Sequence, residues 1–163
     1  MTDQLIRAES DGREGSIIVG ADGSESSRAA LRWASEQALA TGAILRVVTA
    51  WHIPNLSYGG LVPTFPDYDF AASARTVQAE EVSSVLGPNP AVELSTVVIE
   101  GPAGPELTAA AVGADLLVVG SRGHGVLAGM LLGSVSEYCA THASCPVVVV
   151  HPDPSTAEVA DTD

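Results

Sequence analysis

The sequence predicts an α/β protein, a doubly wound, Rossmann-like sheet of five parallel strands with helices on both faces. Two observations predict it. Short aliphatic, largely β-branched runs, typical of strands buried on both faces, alternate with longer segments of helical periodicity. Turn residues, mainly Gly, Asp and Pro, separate the two kinds of segment. This order favours a parallel sheet with right-handed crossovers, in which ligands bind beyond the carboxyl ends of the strands.

The first strand and the first helix follow each other directly. Residues 17–19 form a β-branched run that ends in a Gly-Ala-Asp-Gly turn. Ser24 is a favourable N-cap for the helix that follows, in which Ala and Trp recur at helical spacing, and Gly42 can end this helix. Residues 44–50 are then predicted to form the second strand.

The middle of the chain begins with a segment of different composition. Residues 51–67 are rich in Pro, Gly and aromatic residues, which predicts a long surface loop of the kind that often serves as a lid. A helix is predicted over residues 68–86 and a third strand over residues 92–99. Pro105 can open a short third helix that ends before Gly113.

The last part of the chain contains two more strands and one more helix. Residues 116–119 predict the fourth strand, and a glycine-rich stretch leads to a helix from about Val135. The fifth strand is a run of four valines, Val147–Val150. We expect it at an edge of the sheet, where an exposed apolar strand invites pairing with a second chain.

These elements form one module over residues 16–151, between a polar N-terminal tail (1–15) and an acidic C-terminal tail (152–163), both expected to be flexible. No apolar run has the roughly 18 residues that a membrane span needs, and the start lacks the apolar core of a signal peptide. Cys139 and Cys145 are too few for a disulfide framework. We therefore expect a soluble, cytoplasmic protein with reduced thiols.

The charge balance excludes several classes of function. The 163 residues carry 20 acidic and 7 basic side chains, a net charge of −13, and every basic residue is Arg. Such a chain repels the phosphates of nucleic acids and anionic membranes, so neither is an expected partner. Without Lys there is no P-loop lysine, Schiff base or Ser-Lys dyad. The His residues show no metal-ligand spacing, so we expect no metal held by side chains.

The glycine-rich segment after the fourth strand carries the most chemical information. Gly120 and Gly123 follow the strand, and Gly133 and Ser134 precede the last helix. Glycine lets backbone approach a ligand closely, and the N–H groups and dipole at a helix N-terminus attract anions. Arg122 can add a bidentate contact to phosphate. A phosphate site is therefore one interpretation of this segment.

An alternative interpretation needs no ligand. The sequence Ser-Val-Ser-Glu from Ser134 fits the capping box S-x-x-E, in which Ser134 caps the helix and Glu137 reaches back. The glycines would then be turn residues only. Spacing alone does not decide between the two interpretations, and neither the P-loop nor the dinucleotide fingerprint is present.

Taken together, these motifs resemble the universal stress protein family. The motif G-x2-G-x9-G-[S/T] stands at Gly120, Gly123, Gly133 and Ser134, and the stretches IIVGADGSESSRAALRWA, ADLLVVGSRGHG and CPVVVVH also match. The match covers roughly residues 16–151. The resemblance implies the doubly wound fold and the branch of the family that keeps the glycine motif and binds ATP. The absence of Lys and the many Ala and Val residues look like a bacterial member from a GC-rich genome.

The resemblance also implies the site residues. The glycine-motif segment would surround the phosphates and ribose of ATP, Asp22 would lie near the ribose and base, and two strand ends would line the adenine pocket. Mg²⁺ would be held by the phosphates. The residues implied are Gly20, Asp22, Ala50, Gly120, Arg122, Gly123, Gly133, Ser134, Val135 and Ser136. Without the resemblance, Asp22 would be assigned to a helix cap or an Asx-turn.

The implied function is that of an ATP-binding regulator of the stress response, a switch rather than a catalyst. We expect it to be a homodimer paired through Val147–Val150 and to act on a protein partner that the sequence does not name. Arg122 offers charge stabilisation, but no persuasive base accompanies it, so we expect slow ATP hydrolysis at most. The alternatives are a slow ATPase, an autophosphorylating enzyme with Ser134 or Ser136 as acceptor, a cAMP binder, and a scaffold with a vestigial site.

Overall fold

The computed structural model describes residues 15–53, 69–123 and 131–152. Strands and helices alternate along the described chain, as the sequence predicts. In chain order they are β1 (Ser16–Gly20), α1 (Glu25–Thr41), β2 (Ile44–Trp51), α2 (Phe70–Leu86), β3 (Leu94–Glu100), α3 (Ala103–Ala110), β4 (Leu116–Gly120), α4 (Ser134–His142) and β5 (Val147–Val150).

The five strands form one parallel sheet in the order β3-β2-β1-β4-β5, which confirms the predicted fold class. The chain runs outward from β1 through β2 to β3, and then returns to place β4 on the other side of β1. The strand order therefore reverses between β1 and β4. In a doubly wound sheet the crevice beyond the carboxyl ends of such a strand pair is where ligands bind.

The two faces of the sheet bury separate apolar layers. Ile17 and Val19 of β1 belong to the apolar layer that includes residues of α1 and α2, whereas Ile18 belongs to the layer on the other face, which includes residues of α3 and α4. Each of these three side chains is at most 3% exposed. This explains why the central strands β1 and β4 have continuous apolar centres, since both faces of a doubly wound sheet are covered by helices.

Helix α1 begins and ends at the residues that the sequence predicts. Ser24 is the N-cap, and its hydroxyl accepts a hydrogen bond from Ser27 N–H at 3.2 Å. Gly42 ends the helix with φ of 73°, a left-handed conformation that favours glycine. These two signals are local in sequence, which is why the prediction of this helix was accurate.

Three predicted starts of elements differ from the structure by two residues. Helix α2 starts at Phe70 behind an Asp69 cap, and β3 starts at Leu94, later than predicted. Helix α3 starts at Ala103, so Pro105 is its third residue rather than its first. Proline is tolerated there because N–H groups in the first turn have no intrahelical partner.

Parts of three predictions lie outside the described residues. The predicted loop over residues 51–67 is described only up to residue 53, and Trp51 is the last residue of β2 rather than part of a loop. The tails 1–15 and 152–163 are described only at residues 15 and 152. The domain boundaries therefore stay a prediction.

Candidate functional site

A cavity of about 410 Å³ lies beyond the carboxyl ends of β1 and β4, where the strand order reverses. All the residues singled out from the sequence line this cavity. They are Gly20, Asp22, Ala50, Gly120, Arg122, Gly123, Gly133, Ser134, Val135 and Ser136. The fold thus brings together residues from the ends of three strands and from the start of α4.

Part of the lining was not anticipated. An apolar wall comes from Val48 on β2 and from Ala103 and Leu107 on α3. Two sequence patterns are consistent with this wall. Val48 lies two residues before Ala50 and so shares its strand face, and Ala103 and Leu107 are one helical turn apart. The other unpredicted lining residues are Ala21, Ser24, Ser27, Val119, Leu132 and Glu137.

The N-terminus of α4 faces the cavity without a side-chain cap. Its N-cap is Gly133, with φ of −79° and ψ of 166°, and no side chain bonds to the cap position. Ser134 is the first helical residue, so the capping-box alternative is wrong. N–H groups in the first turn of a helix have no intrahelical partner, and here they adjoin a cavity that a ligand can enter.

The loop before α4 is held by buried hydrogen bonds to one carbonyl. Ser121 O accepts a hydrogen bond from Gly133 N–H at 2.7 Å and another from Ser136 Oγ at 3.0 Å. Ser136 is 1% exposed, and its hydroxyl also lies 2.9 Å from Gly133 O. The Ser136 side chain is therefore a structural group, although its backbone belongs to the open first turn. The buried Ser121 Oγ has no hydrogen-bond partner within the described chain.

The glycines of the motif serve different purposes. A Cβ on Gly123 would lie 2.7 Å from Asp22 Oδ2, on the floor of the cavity. A Cβ on Gly120 would lie 2.7 Å from the backbone carbonyl carbon of Ser26, so Gly120 allows β4 to pack against α1. A Cβ on Gly133 would make only an ordinary contact, at 3.4 Å from Arg122 Cα.

The turn after β1 joins the two sides of the cavity. Asp22 Oδ1 accepts a hydrogen bond from Ser24 N–H at 2.9 Å, which is the Asx-turn considered as the alternative for this residue, and Gly23 has φ of 79°. The Ser24 hydroxyl also donates to Arg122 O at 3.4 Å. Asp22 therefore shapes the turn and lines the cavity at the same time.

Glu81 on α2 supports this turn, and the sequence analysis did not single it out. Its Oε2 accepts a hydrogen bond from Gly23 N–H at 2.8 Å, and its Oε1 accepts one from Ser27 Oγ. Burial raises the pKa of the Glu81 carboxyl, and the negative charge of Asp22 acts in the same direction, whereas the two hydrogen bonds oppose them. One signal could have found it, because Glu81 lies on the same helical stripe as the buried Gln78, Val82 and the partly buried Val85.

The charges around the cavity are few. Among the described residues that line it, Arg122 is the one basic side chain, against the carboxylates of Asp22 and Glu137. Local donors therefore have to attract an anion against a net charge of −13 on the chain. Within the described ranges, no three His, Cys, Asp or Glu side chains gather into a group that could hold a metal ion.

The thiols and the tryptophans lie away from the cavity lining. Cys139 is fully buried, and burial raises the pKa of its thiol to about 11; burial raises the pKa of Cys145 as well. A high thiol pKa disfavours the reactive thiolate. Trp33 packs against the core, and Trp51 stacks on Phe70 with ring centroids 6.4 Å apart. No helix in the described ranges has the length and apolar character of a membrane span.

Comparisons with known proteins agree with this architecture. The family model for the universal stress protein family matches residues 15–151. Universal stress protein Rv2624c of Mycobacterium tuberculosis is 34% identical over 139 residues, which covers 82% of this chain and 47% of that protein. The universal stress protein of Mycolicibacterium smegmatis is 32% identical over 152 residues, covering 86% of this chain and 49% of that one. The chain thus spans about half the length of the curated relatives it matches.

Solved structures show the same fold. A universal stress protein crystallised in complex with cAMP is 30% identical, with a TM-score of 0.56, over 86% of this chain and 98% of that one. UspA of Lactobacillus plantarum is 24% identical, with a TM-score of 0.66, over 86% of this chain and 99% of that one. The family model covers most of the chain, and the fold agrees with that of these solved universal stress proteins. This chain belongs to the universal stress protein family.

Proposed function

We propose that this chain binds an adenine nucleotide in the cavity between β1 and β4 and acts in the cytoplasm as a nucleotide-dependent regulator of the stress response. One observation carries the proposal: the uncapped N-terminus of α4, Arg122 and Gly123 converge on one cavity at the point where the strand order reverses. The cavity volume of about 410 Å³ is in the range of small-molecule pockets. The cAMP complex of a 30% identical relative is further support.

Each part of a nucleotide has a matching surface. The N–H groups of the first turn of α4 and the Arg122 guanidinium suit a phosphate group. The apolar wall of Val48, Ala103 and Leu107, next to Ala50, suits the adenine base. The Asp22 carboxylate can accept hydrogen bonds from ribose hydroxyls.

We propose ATP as the ligand, with Mg²⁺ bound to its phosphates. The residues present fit this assignment, since Gly123 leaves room beside Asp22 that a Cβ would fill. Mg²⁺ would supply the positive charge that one Arg cannot supply alone. A cyclic nucleotide is the second candidate, because it carries less charge and because the 30% identical relative was crystallised with cAMP.

A switch suits the site better than a catalyst. Of the two lining carboxylates, Asp22 is engaged in the Asx-turn and Glu137 is exposed on α4. Neither has the buried, orienting surroundings that tune a general base. The Ser136 hydroxyl is buried and bonded, which leaves the exposed Ser134 as the better acceptor if the protein phosphorylates itself. Slow hydrolysis or autophosphorylation remains the alternative.

We further propose that two copies pair through β5. This strand pairs only with β4 among the described strands, so one edge of four half-buried valines has no partner within the described chain. Antiparallel pairing of this edge across a two-fold axis would join two sheets in an isologous contact. Occupancy of the cavity could then select one arrangement of the dimer for a protein partner to bind.

The test is calorimetric titration of nucleotide-free protein with Mg²⁺-ATP, AMP and cAMP in turn. Gly123 is not among the described glycines of positive φ, so Gly123→Ala adds a methyl group without backbone strain and pushes it against Asp22. We expect micromolar binding by the wild type and a loss of about tenfold or more in the variant, with the melting temperature little changed.

The outcomes separate the candidates. A clear preference for cAMP over Mg²⁺-ATP would favour the cyclic-nucleotide alternative. Steady phosphate release well above that of Gly123→Ala would favour an enzyme. If the folded wild type binds none of the three nucleotides, the proposal fails and a scaffold is the better description.

A further inference from the structure

Two buried polar side chains of helix α2, Gln78 and Glu81, are linked to the cavity turn, residues 21–24, the first through Thr49 and the second directly. Gln78 Nε2 lies 3.1 Å from Val47 O, 2.9 Å from Val97 O and 3.0 Å from Thr49 Oγ1. The Thr49 hydroxyl in turn donates to Ala21 O at 2.8 Å. Gln78 and Thr49 are 4% and 5% exposed, so this relay is shielded from water.

Glu81, one turn further along α2, contacts the same turn directly. Its two carboxyl oxygens accept hydrogen bonds from Gly23 N–H and Ser27 Oγ, and its side chain is 2% exposed. Ser27 Oγ also accepts a hydrogen bond from Asp22 N–H at 3.2 Å. One carboxyl group on α2 therefore fixes two consecutive backbone N–H groups of the turn, one directly and one through a hydroxyl.

This arrangement is unusual for a group with only a packing role. Glu81 does not line the cavity, whereas Asp22, Ser24 and Ser27 do. Burying a carboxyl group is costly, and an apolar side chain at this place in the helix stripe would avoid that cost. An apolar side chain would, however, leave Gly23 N–H without its acceptor, and Gly23 adopts φ of 79° between the two lining residues Asp22 and Ser24.

We propose that Glu81 is a positioning residue for the nucleotide, one that holds the cavity turn through Gly23 N–H and Ser27 Oγ so that Asp22 faces Gly123. The inference rests on the proposed nucleotide binding and deepens it. It assigns to α2, which packs on the opposite sheet face from α3 and α4, a direct part in the shape of the cavity. A shift of α2 would move Asp22, and a ligand bound to Asp22 would in turn change the position of α2.

The test compares three variants in their affinity for whichever of Mg²⁺-ATP, AMP and cAMP binds the wild type most tightly. Glu81→Ala removes both acceptors, and we expect it to weaken binding about tenfold or more. Glu81→Gln can still accept from Gly23 N–H and donate to Ser27 Oγ, so we expect affinity within about threefold of the wild type. Val82→Ala is the matched control, since Val82 is buried on the same helix and packs in the core.

Val82→Ala should lower the melting temperature as a cavity mutation does and leave the affinity unchanged. A second readout needs no ligand: hydrogen exchange of the Gly23 amide should be faster in Glu81→Ala than in Glu81→Gln. If Glu81→Ala does not fold, Glu81→Asp replaces it, because its carboxylate is one methylene too short to reach both partners.

Two results would overturn the inference. One is a folded Glu81→Ala that binds the nucleotide as tightly as the wild type. The other is an equal loss of affinity in Val82→Ala, which would show that any destabilisation of α2 weakens binding. If the wild type binds none of the nucleotides, the proposed function is wrong. That outcome is distinguishable from both of these results, since each of them requires a wild type that binds.

Discussion

Ser134 and Ser136, two positions apart at the start of α4, have opposite surroundings. Ser134 follows the Gly133 cap and is exposed, and no side chain caps the helix. Ser136 is 1% exposed, with its hydroxyl 3.0 Å from Ser121 O and 2.9 Å from Gly133 O. The same residue type is therefore available to a ligand at one position and committed to the fold at the other.

We expect Ser134→Ala and Ser136→Ala to separate these roles. Ser134→Ala should change the free energy of unfolding by no more than about 0.5 kcal/mol, since it removes no cap. Ser136→Ala removes a buried hydrogen-bond donor and should cost about 1–2 kcal/mol. Urea denaturation of both variants, with the slope of each transition compared, measures the difference. A loss of about 1 kcal/mol in the free energy of unfolding of Ser134→Ala would instead indicate that Ser134 caps the helix.

The elements differ in how well the sequence predicted them. Both ends of α1 depend on a residue next to the helix, Ser24 or Gly42, and were predicted correctly. The start of α3 was predicted two residues late, because Pro105 is compatible with any place in a first turn. The contact between Glu81 and Gly23 joins residues 58 apart in the chain, and no local pattern could reveal it.

Helix α2 also gives the protein a predictable response to pH. The pKa of Glu81 is raised above its ordinary value of 4.5, chiefly by burial. At a pH between the pKa of Glu81 in the unfolded chain and its raised pKa in the folded protein, the folded protein binds more protons than the unfolded chain. The free energy of unfolding therefore falls as pH rises through that interval. Relative to the wild type, Glu81→Gln should therefore gain stability as pH rises from 4.5 toward neutrality.

The measurement is the free energy of unfolding of both proteins, by urea denaturation, across this range of pH. Taking the difference between the two proteins cancels the titrating groups that do not interact with Glu81. Glu80→Gln, which removes a carboxyl group at an exposed site on the same helix, is the matched control. A difference that shrinks as pH rises would mean that hydrogen bonding, rather than burial, dominates the pKa of Glu81.

At the scale of the whole molecule, the resemblance to the universal stress protein family identified residues that line the cavity, a question that the spacing of the glycine motif alone did not decide. In the structure Asp22 and Gly123, far apart in sequence, lie side by side because the parallel strands before them end at the same edge of the sheet. The sequence did not predict two parts of the site, the lining from α3 and the support from α2. Both depend on how helices pack across the sheet.

The free edge of β5 permits a direct test of the proposed dimer. Leu117 N–H donates to Pro146 O and Ser121 N–H donates to Val150 O, so alternate residues of β5 face β4. By this alternation the N–H of Val148 points toward β4 and the N–H of Val149 points outward. Proline is tolerated in an edge strand only where its missing N–H would face outward. We therefore expect Val149→Pro to remain folded and become monomeric, and Val148→Pro to destabilise the fold.

Sedimentation velocity at micromolar concentration, with and without added salt, measures the association. Two chains that each carry a net charge of −13 repel one another, so salt should tighten the dimer by screening this repulsion. A wild type that stays monomeric at high salt would exclude pairing through β5. A dimer that survives in Val149→Pro would place the contact on another surface, because an outward proline removes a backbone donor that antiparallel pairing of this edge requires.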